Sequence, residues 1–180
     1  MFKKILIALL LVVTAFIVVV SLQPADFRVT RSIVIDAAPV AVFDKVDDLH
    51  AWKDWSPWAK IDPAMKQTFE GPRRGQGAVY AWAGNKDVGE GRMTITQSRP
   101  SDYVEINLEF IKPFAATNTT DFTFKGDAGR TNVAWSMYGK NSFMSKAVCL
   151  FMDMDKMVGA DFEKGLAQMK ALVESGASRN

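Results

Sequence analysis

Histidine, cysteine and paired carboxylates are the side chains most often used for proton transfer, nucleophilic attack and metal binding. The chain holds few of them. Its one histidine, His50, stands beside Ala51-Trp52 and reads as a surface or helix-end residue ahead of a general base. Gly-x-Ser-x-Gly is absent, so nothing supports a serine nucleophile elbow. The sole cysteine, Cys149, closes no intrachain disulfide and lies in the apolar run Ala147-Val148-Cys149-Leu150-Phe151, which reads as a buried small hydrophobe. Asp153 and Asp155 resemble an acid pair, but on a helix residues two apart point roughly 200° away from each other. They do not share a metal there, and a solvated face accounts for them. Gly71-x-x-x-Gly75-x-Gly77 and the Gly84 to Gly91 stretch lack the strand-to-helix context of a dinucleotide loop and read as hairpin turns. Arg73 and Arg74 would meet lipid headgroups if their loop faced a bilayer. Tyr80, Tyr138, Glu90 and Asp121 are conceivable proton-transfer groups that no spacing singles out. No catalytic residue, metal ligand or cofactor is assigned from these residues.

Apolar chemistry is better represented. Five tryptophans occur, and Trp52, Trp55 and Trp58 fall within seven residues around Pro57. Each offers a large apolar face and one N–H donor, suited to a core, a lid or a pocket mouth, with core or lid packing the stronger reading for these three. Nine methionines occur, and Met144, Met152, Met154, Met157 and Met169 belong to the C-terminal segment. Unbranched thioethers adapt to irregular partners; a loosely packed core and a cavity for a variable apolar ligand both fit.

The elements that would position these residues follow from periodicity. Phe27, Val29, Ile33 and Ile35 alternate with Arg28, Thr30, Ser32 and Val34, the period of a strand with one face inward. Asp36 ahead of Ala37-Ala38-Pro39 marks the start of a short helix to about Val46. Asp48 caps a second short helix that Pro57 ends. Six further strands are expected over residues 66–70, 78–82, 91–98, 103–111, 117–125 and 130–138, separated by Gly, Pro and Asn turn signals. Connections this short require antiparallel pairing. A helical segment from Asn141-Ser142 to Ser175-Gly176 closes the chain, with Phe151, Met154, Val158, Phe162, Leu166, Met169 and Val173 in one stripe. Gly159 and Gly165 within it imply a packing reason or a break.

Ahead of all this, Ile5 to Leu22 is eighteen residues without a charge. As a helix at about 1.5 Å per residue it would be roughly 27 Å long, close to bilayer hydrocarbon thickness. Lys3 and Lys4 before it and Asp26 after it favour a cytoplasmic N-terminus and an outward-facing body. A single-pass inner-membrane protein with its domain facing the periplasm is the expectation. A cleaved signal peptide is the competing reading, but Ser21-Leu22-Gln23-Pro24-Ala25 lacks a small-x-small pair. Residues 1–25 are thus the anchor, 26–176 one domain and 177–180 a frayed tail. The chain has 22 basic and 20 acidic side chains, and apart from Lys3 and Lys4 the two are equal in number. A neutral body gives no support for nucleic-acid binding, which needs a clustered cationic face.

Strand, two short helices, a six-strand meander and a last helix is the order of the helix-grip fold. Ser32-Ile33-Val34-Ile35-Asp36-Ala37-Ala38-Pro39 with Val42-Phe43, Trp52-Lys53-Asp54-Trp55-Ser56-Pro57-Trp58, Gly89-Glu90-Gly91-Arg92-Met93-Thr94-Ile95 and the stretch from Met157 to Leu166 agree with it in detail. From about Arg31 to Val173 the chain resembles the SRPBCC superfamily of START-like proteins, within it the bacterial polyketide cyclase/dehydrase-type group. The resemblance implies an α+β fold in which a curved, seven-stranded antiparallel sheet grips a long C-terminal helix over an elongated cavity for an apolar ligand. Trp55, Trp58, Trp82, Phe110, Trp135, Met137, Met154, Met157, Val158, Phe162 and Leu166 are the candidate cavity residues. A register slip of one would turn the strand residues among them outward. A binding module for a lipid-like or other hydrophobic small molecule leads. A cyclase or dehydratase acting on a hydrophobic substrate and a ligand-free interaction domain stay open, and protein partners are unknown.

Overall fold

The computed structural model describes residues 1–177, and residues 178–180, most of the expected tail, lie outside the described residues. A 20-residue helix α1 (Phe2–Ser21) comes first, long and apolar enough to cross a membrane. Strand β1 (Asp26–Ile35) leads into helix α2 (Pro39–Asp47), a 3₁₀ turn (Leu49–Ala51) and the single-turn helix α3 (Trp52–Trp55). Strands β2 (Lys66–Glu70), β3 (Val79–Ala83), β4 (Glu90–Arg99), β5 (Tyr103–Lys112), β6 (Ala116–Asp127) and β7 (Arg130–Lys140) form the meander. Helices α4 (Phe143–Cys149) and α5 (Met154–Ala177) follow. The sheet has seven antiparallel strands in the order β1-β7-β6-β5-β4-β3-β2, so only β1 pairs out of sequence order.

The first expectations for helix ends hold with one change. Pro39 occupies the first turn of α2, where its missing N–H costs nothing, but the N-cap is Ala38 and the Asp36 side chain does not cap. Instead the Asp36 N–H donates to Glu174 on α5. Asp48 caps the 3₁₀ turn by accepting from the His50 N–H at 2.9 Å. The indole N–H groups of Trp52 and Trp55 donate to the carbonyls of Val46 and Lys45, the unpaired last turn of α2. Two tryptophans therefore close one helix end while burying their rings.

The C-terminal segment is two helices, where one was expected. The apolar spacing runs on through Leu150–Asp153, but the Asp153 carboxylate accepts from the Lys156 N–H at 3.1 Å, which is an N-cap bond that starts α5 afresh. Phe151 thereby leaves the stripe and is 80% exposed, whereas Phe162, Leu166, Met169 and Val173 are buried. Asp155, next along, receives the Arg31 guanidinium. Both acids are solvent-exposed, as expected, and each is also engaged, Asp153 as a cap and Asp155 by Arg31.

Arg31 sits at an inward position of β1, opposite Trp135, and ties the start of α5 to the sheet. Its guanidinium donates to both Asp155 carboxylate oxygens, to the Asp155 carbonyl and to Glu163. A Cβ on Gly159 would overlap that guanidinium, and one on Gly165 would lie 2.9 Å from the Trp135 ring and 3.0 Å from Pro57. Close packing, with no break, explains both glycines.

Register also sorts the turns by end. Asp26 faces Lys140, Asn118 faces Gly139, Phe110 faces Ala116, Lys112 faces Glu90 and Ala83 faces Lys66. The start of β1, the end of β7, and the β3–β4 and β5–β6 turns thus share one end of the sheet. The β2–β3, β4–β5 and β6–β7 turns share the other.

Two outcomes test this packing. Gly165→Val overpacks the Trp135 contact and lowers stability by about 1–3 kcal/mol in chemical denaturation. The hydrogen bonds from Arg31 hold the Asp155 carboxyl below the usual range. Its stabilisation is therefore present above about pH 4 and lost as pH falls through the lower folded value. The melting temperature of the wild type exceeds that of Asp155→Asn at neutral pH, and the two converge in strong acid.

Candidate functional site

Between the inner face of the sheet and the layer formed by the α3 region and α5 lies a cavity of about 350 Å³, inside the range of small-molecule sites. The sheet supplies Phe69, Tyr80, Trp82, Met93, Leu108, Phe110, Thr120, Trp135 and Met137. Leu49, His50, Trp52 and Trp58 cover it from one side, and Val158, Asp161 and Phe162 on the first turns of α5 from the other. One end of its lining comes from Lys86–Gly89 and Lys112-Pro113, on the β3–β4 and β5–β6 turns. Those turns are at the end of the sheet that α1 joins.

The closed end is an aromatic block. Trp135 stacks flat on Phe162, with centroids 4.0 Å apart and planes within 7°, and on Phe122 at 4.9 Å. Trp58 meets Trp135 edge-on at 5.9 Å. The polar atoms there satisfy one another: the Trp135 indole N–H donates to Thr120 Oγ1, which donates to the Ser136 carbonyl. Along the opposite wall Phe69, Tyr80, Trp82 and Phe110 form a chain of ring contacts at 5.1, 5.9 and 6.3 Å. Gly91 makes that wall possible, because a Cβ there would overlap the Trp82 ring. Burial pushes the Tyr80 phenol pKa up, so the hydroxyl stays neutral across the physiological range.

Of the expected cavity residues, Trp58, Trp82, Phe110, Trp135, Met137, Val158 and Phe162 line this space. Trp55 and Leu166 are fully buried in the core behind it, and Met154 and Met157 do not reach it. The C-terminal segment faces the cavity without its methionines: Met144, Met152 and Met157 are exposed and Met169 is in the core. The cavity methionines come from the α3–β2 loop and the strands, as Met65, Met93 and Met137. Cys149 is half-buried on α4, not in the core.

The conceivable proton-transfer groups are scattered. Glu90 pairs with Lys112 at 2.8 Å, at the end of the sheet that α1 joins. Tyr138 lies on the outer face under the Arg28 guanidinium, 4.1 Å away, and Asp121 on the same face is 4.0 Å from Arg28. The residue sequence reasoning undervalued is His50. It lies in the cavity wall, stacked on Phe69 at 3.9 Å, with Nδ1 3.1 Å from Asp48 Oδ1. Burial alone would raise the Asp48 pKa, but bonds from Arg73 and the His50 backbone overcome it and hold the group below the usual range as a carboxylate. The other ring nitrogen of His50 makes no hydrogen bond among the described residues. The Asp48-x-His50 spacing was visible, but the wall is completed by Phe69 and Arg73, some twenty residues away. Arg73 binds Asp48 and Arg74 binds Asp44, at the end of the sheet away from α1. Among the described residues no three His, Cys, Asp or Glu side chains gather as metal ligands.

The fold has many solved counterparts at low identity. A Staphylococcus aureus protein of unknown function, SA2116, superposes with a TM-score of 0.60 at 13% identity, covering 85% of this chain and 98% of that one. Protein Ms6760 from Mycobacterium smegmatis gives a TM-score of 0.57 at 19% identity, with coverage of 83% and 92%. The di-domain aromatase/cyclase StfQ of the steffimycin biosynthetic pathway gives 0.60 at 10% identity, covering 86% of this chain and 52% of that one. These likenesses show the helix-grip fold alone. No curated protein matches the chain in sequence. The sequence profile described as "Polyketide cyclase / dehydrase and lipid transport" matches residues 26–174, from the first residue of β1 almost to the end of α5. With the sheet, the gripped helix and the cavity between them, that match places the chain in the polyketide cyclase/dehydrase and lipid transport family.

Proposed function

We propose that residues 26–176 form a binding module for a lipid-like or other hydrophobic small molecule, and that residues 1–25 tether it to a membrane. The observation that carries this reading is the cavity itself: it is open to the outside, mostly apolar, and its deepest polar atoms are already bonded to one another. Such walls gain by exchanging water for an apolar guest, at about 25 cal/mol per Å² covered. Trp58, Trp82, Phe110, Trp135, Met137, Val158 and Phe162 are the proposed contacts. Lys3 and Lys4 favour insertion with the domain outside, facing the periplasm.

Organic extraction of the full-length protein followed by mass spectrometry should recover a hydrophobic compound, and a fluorescent fatty-acid probe should compete with it. Leu108→Trp projects an indole from a half-buried lining position into the free space. It should weaken probe uptake at least about tenfold, a loss of 1.4 kcal/mol, with the melting temperature little changed. A protein that is repeatedly recovered empty and rejects the probe sinks the reading.

His50 supports a second reading, a cyclase or dehydratase acting on the same guest. An imidazole held by the Asp48 carboxylate at the edge of an apolar cavity has the arrangement of a general base. If the extracted compound loses water or cyclises in the presence of the protein, His50→Gln should slow that conversion by about 10²–10⁴-fold and leave probe affinity unaltered. Equal rates in the variant would remove His50 from any such role.

A further inference from the structure

The end of the sheet that carries the exposed cavity-lining residues Lys86, Asp87, Lys112 and Pro113 is also the end where unpartnered apolar side chains collect. Phe114, in the β5–β6 turn, is 76% exposed, and Ile111 beside it is also exposed. On and after α4 the exposed residues are Phe143, Met144, Val148, Phe151 and Met152, spaced as one helical stripe that faces away from the protein. An apolar stripe normally turns inward.

Chain geometry puts this stripe at the root of α1. The Asn141 N–H donates to the Ala25 carbonyl at 2.7 Å, so the strand pairing of β1 and β7 continues to within a few residues of both helices. Helix α4 packs against α1, whose only buried residue is Val20. A bilayer receiving α1 would therefore meet α4 without any further movement. From Arg130 to Met152 there is no acidic residue, so no carboxylate on α4 itself opposes approach to phospholipid phosphates, although Asp26, Asp87 and Glu90 lie at the same end of the sheet.

We propose that this end of the sheet docks on the bilayer, with the α4 stripe and the Ile111–Phe114 turn seated at the headgroup–acyl boundary and the cavity opening onto the membrane. The inference rests on reading α1 as a membrane anchor and deepens the functional proposal: the guest passes between cavity and bilayer without crossing bulk water. Each exposed apolar side chain buried in lipid adds to the seating in proportion to area, as for interfacial helices. The far turn at Asp127 is left roughly 35–40 Å away along the twelve residues of β6.

The test uses full-length protein in phosphatidylethanolamine vesicles containing phosphatidylglycerol. A nitrobenzoxadiazole probe is placed in turn by Val12→Cys, Phe114→Cys, Phe151→Cys and Asp127→Cys, each in a Cys149→Ser chain. Circular dichroism confirms that each chain is folded. Brominated lipid is expected to quench the probe severalfold more at 12, 114 and 151 than at 127, and aqueous iodide in the reverse order. Lipid quenching at 12 with iodide access at 114 equal to that at 127 overturns the inference and spares the anchor. The docking also fails if 151 meets lipid and 114 does not, because the opening would then face elsewhere. Probes at 114 and 151 shielded from both quenchers would point to a protein contact, also against the proposal. Absence of lipid quenching at 12 overturns the anchor and the docking together.

Discussion

The Trp135 ring lies flat on the Phe162 ring, and the position of α5 depends on that stack. Around it, Gly165 lets the helix approach Trp135 and Pro57, and Arg31 fixes the first turns of α5 to β1. Helix α5 therefore runs along the β1 side of the sheet and does not reach over the inner faces of β3, β4 and β5. Tyr80, Trp82, Leu108 and Phe110 project into what remains. The cavity is thus a consequence of where the helix is pinned; the closed end is packed solid because the stack and the three neighbouring tryptophans fill it.

Much of this fold was legible because its signals are local. The period of two in β1, the proline at the start of α2, the Asp48 cap and the glycine turns of the meander each act within a few residues, and each survives in the structure. The helix break at Leu150–Asp153 was hidden because Phe151 and Met154 are three apart, so the apolar stripe runs across the interruption unchanged. Only the Asp153 cap betrays it, and an aspartate in a helical run reads equally well as a solvent-facing side chain.

The site was legible in part for a related reason. Strand residues such as Trp82, Trp135 and Met137 reach the cavity because alternation fixes which side of a strand they occupy. Along α5, periodicity identifies the buried stripe without saying which portion of it meets open space: Val158 and Phe162 line the cavity, while Leu166, one turn further, is sealed in the core. His50 is the harder case. Its environment is assembled from Asp48, Phe69 and Arg73, contributed by a cap, a strand and a turn that only the folded chain brings together.

Strand β7 joins the two halves of the functional proposal. Its Trp135 and Met137 form the cavity floor, and its end at Lys140 lies beside the start of β1, where Asn141 holds Ala25. Only Leu22–Ala25 separate α1 from the sheet, and the Pro24 and Ala25 carbonyls accept from Asn141, so α1 is on no flexible leash. If α1 is a tether, as proposed, a connection of this kind transmits orientation as well as proximity. On the proposed reading, the direction in which the cavity opens is set by strand register, through the same rows of backbone hydrogen bonds that decide which side chains face inward.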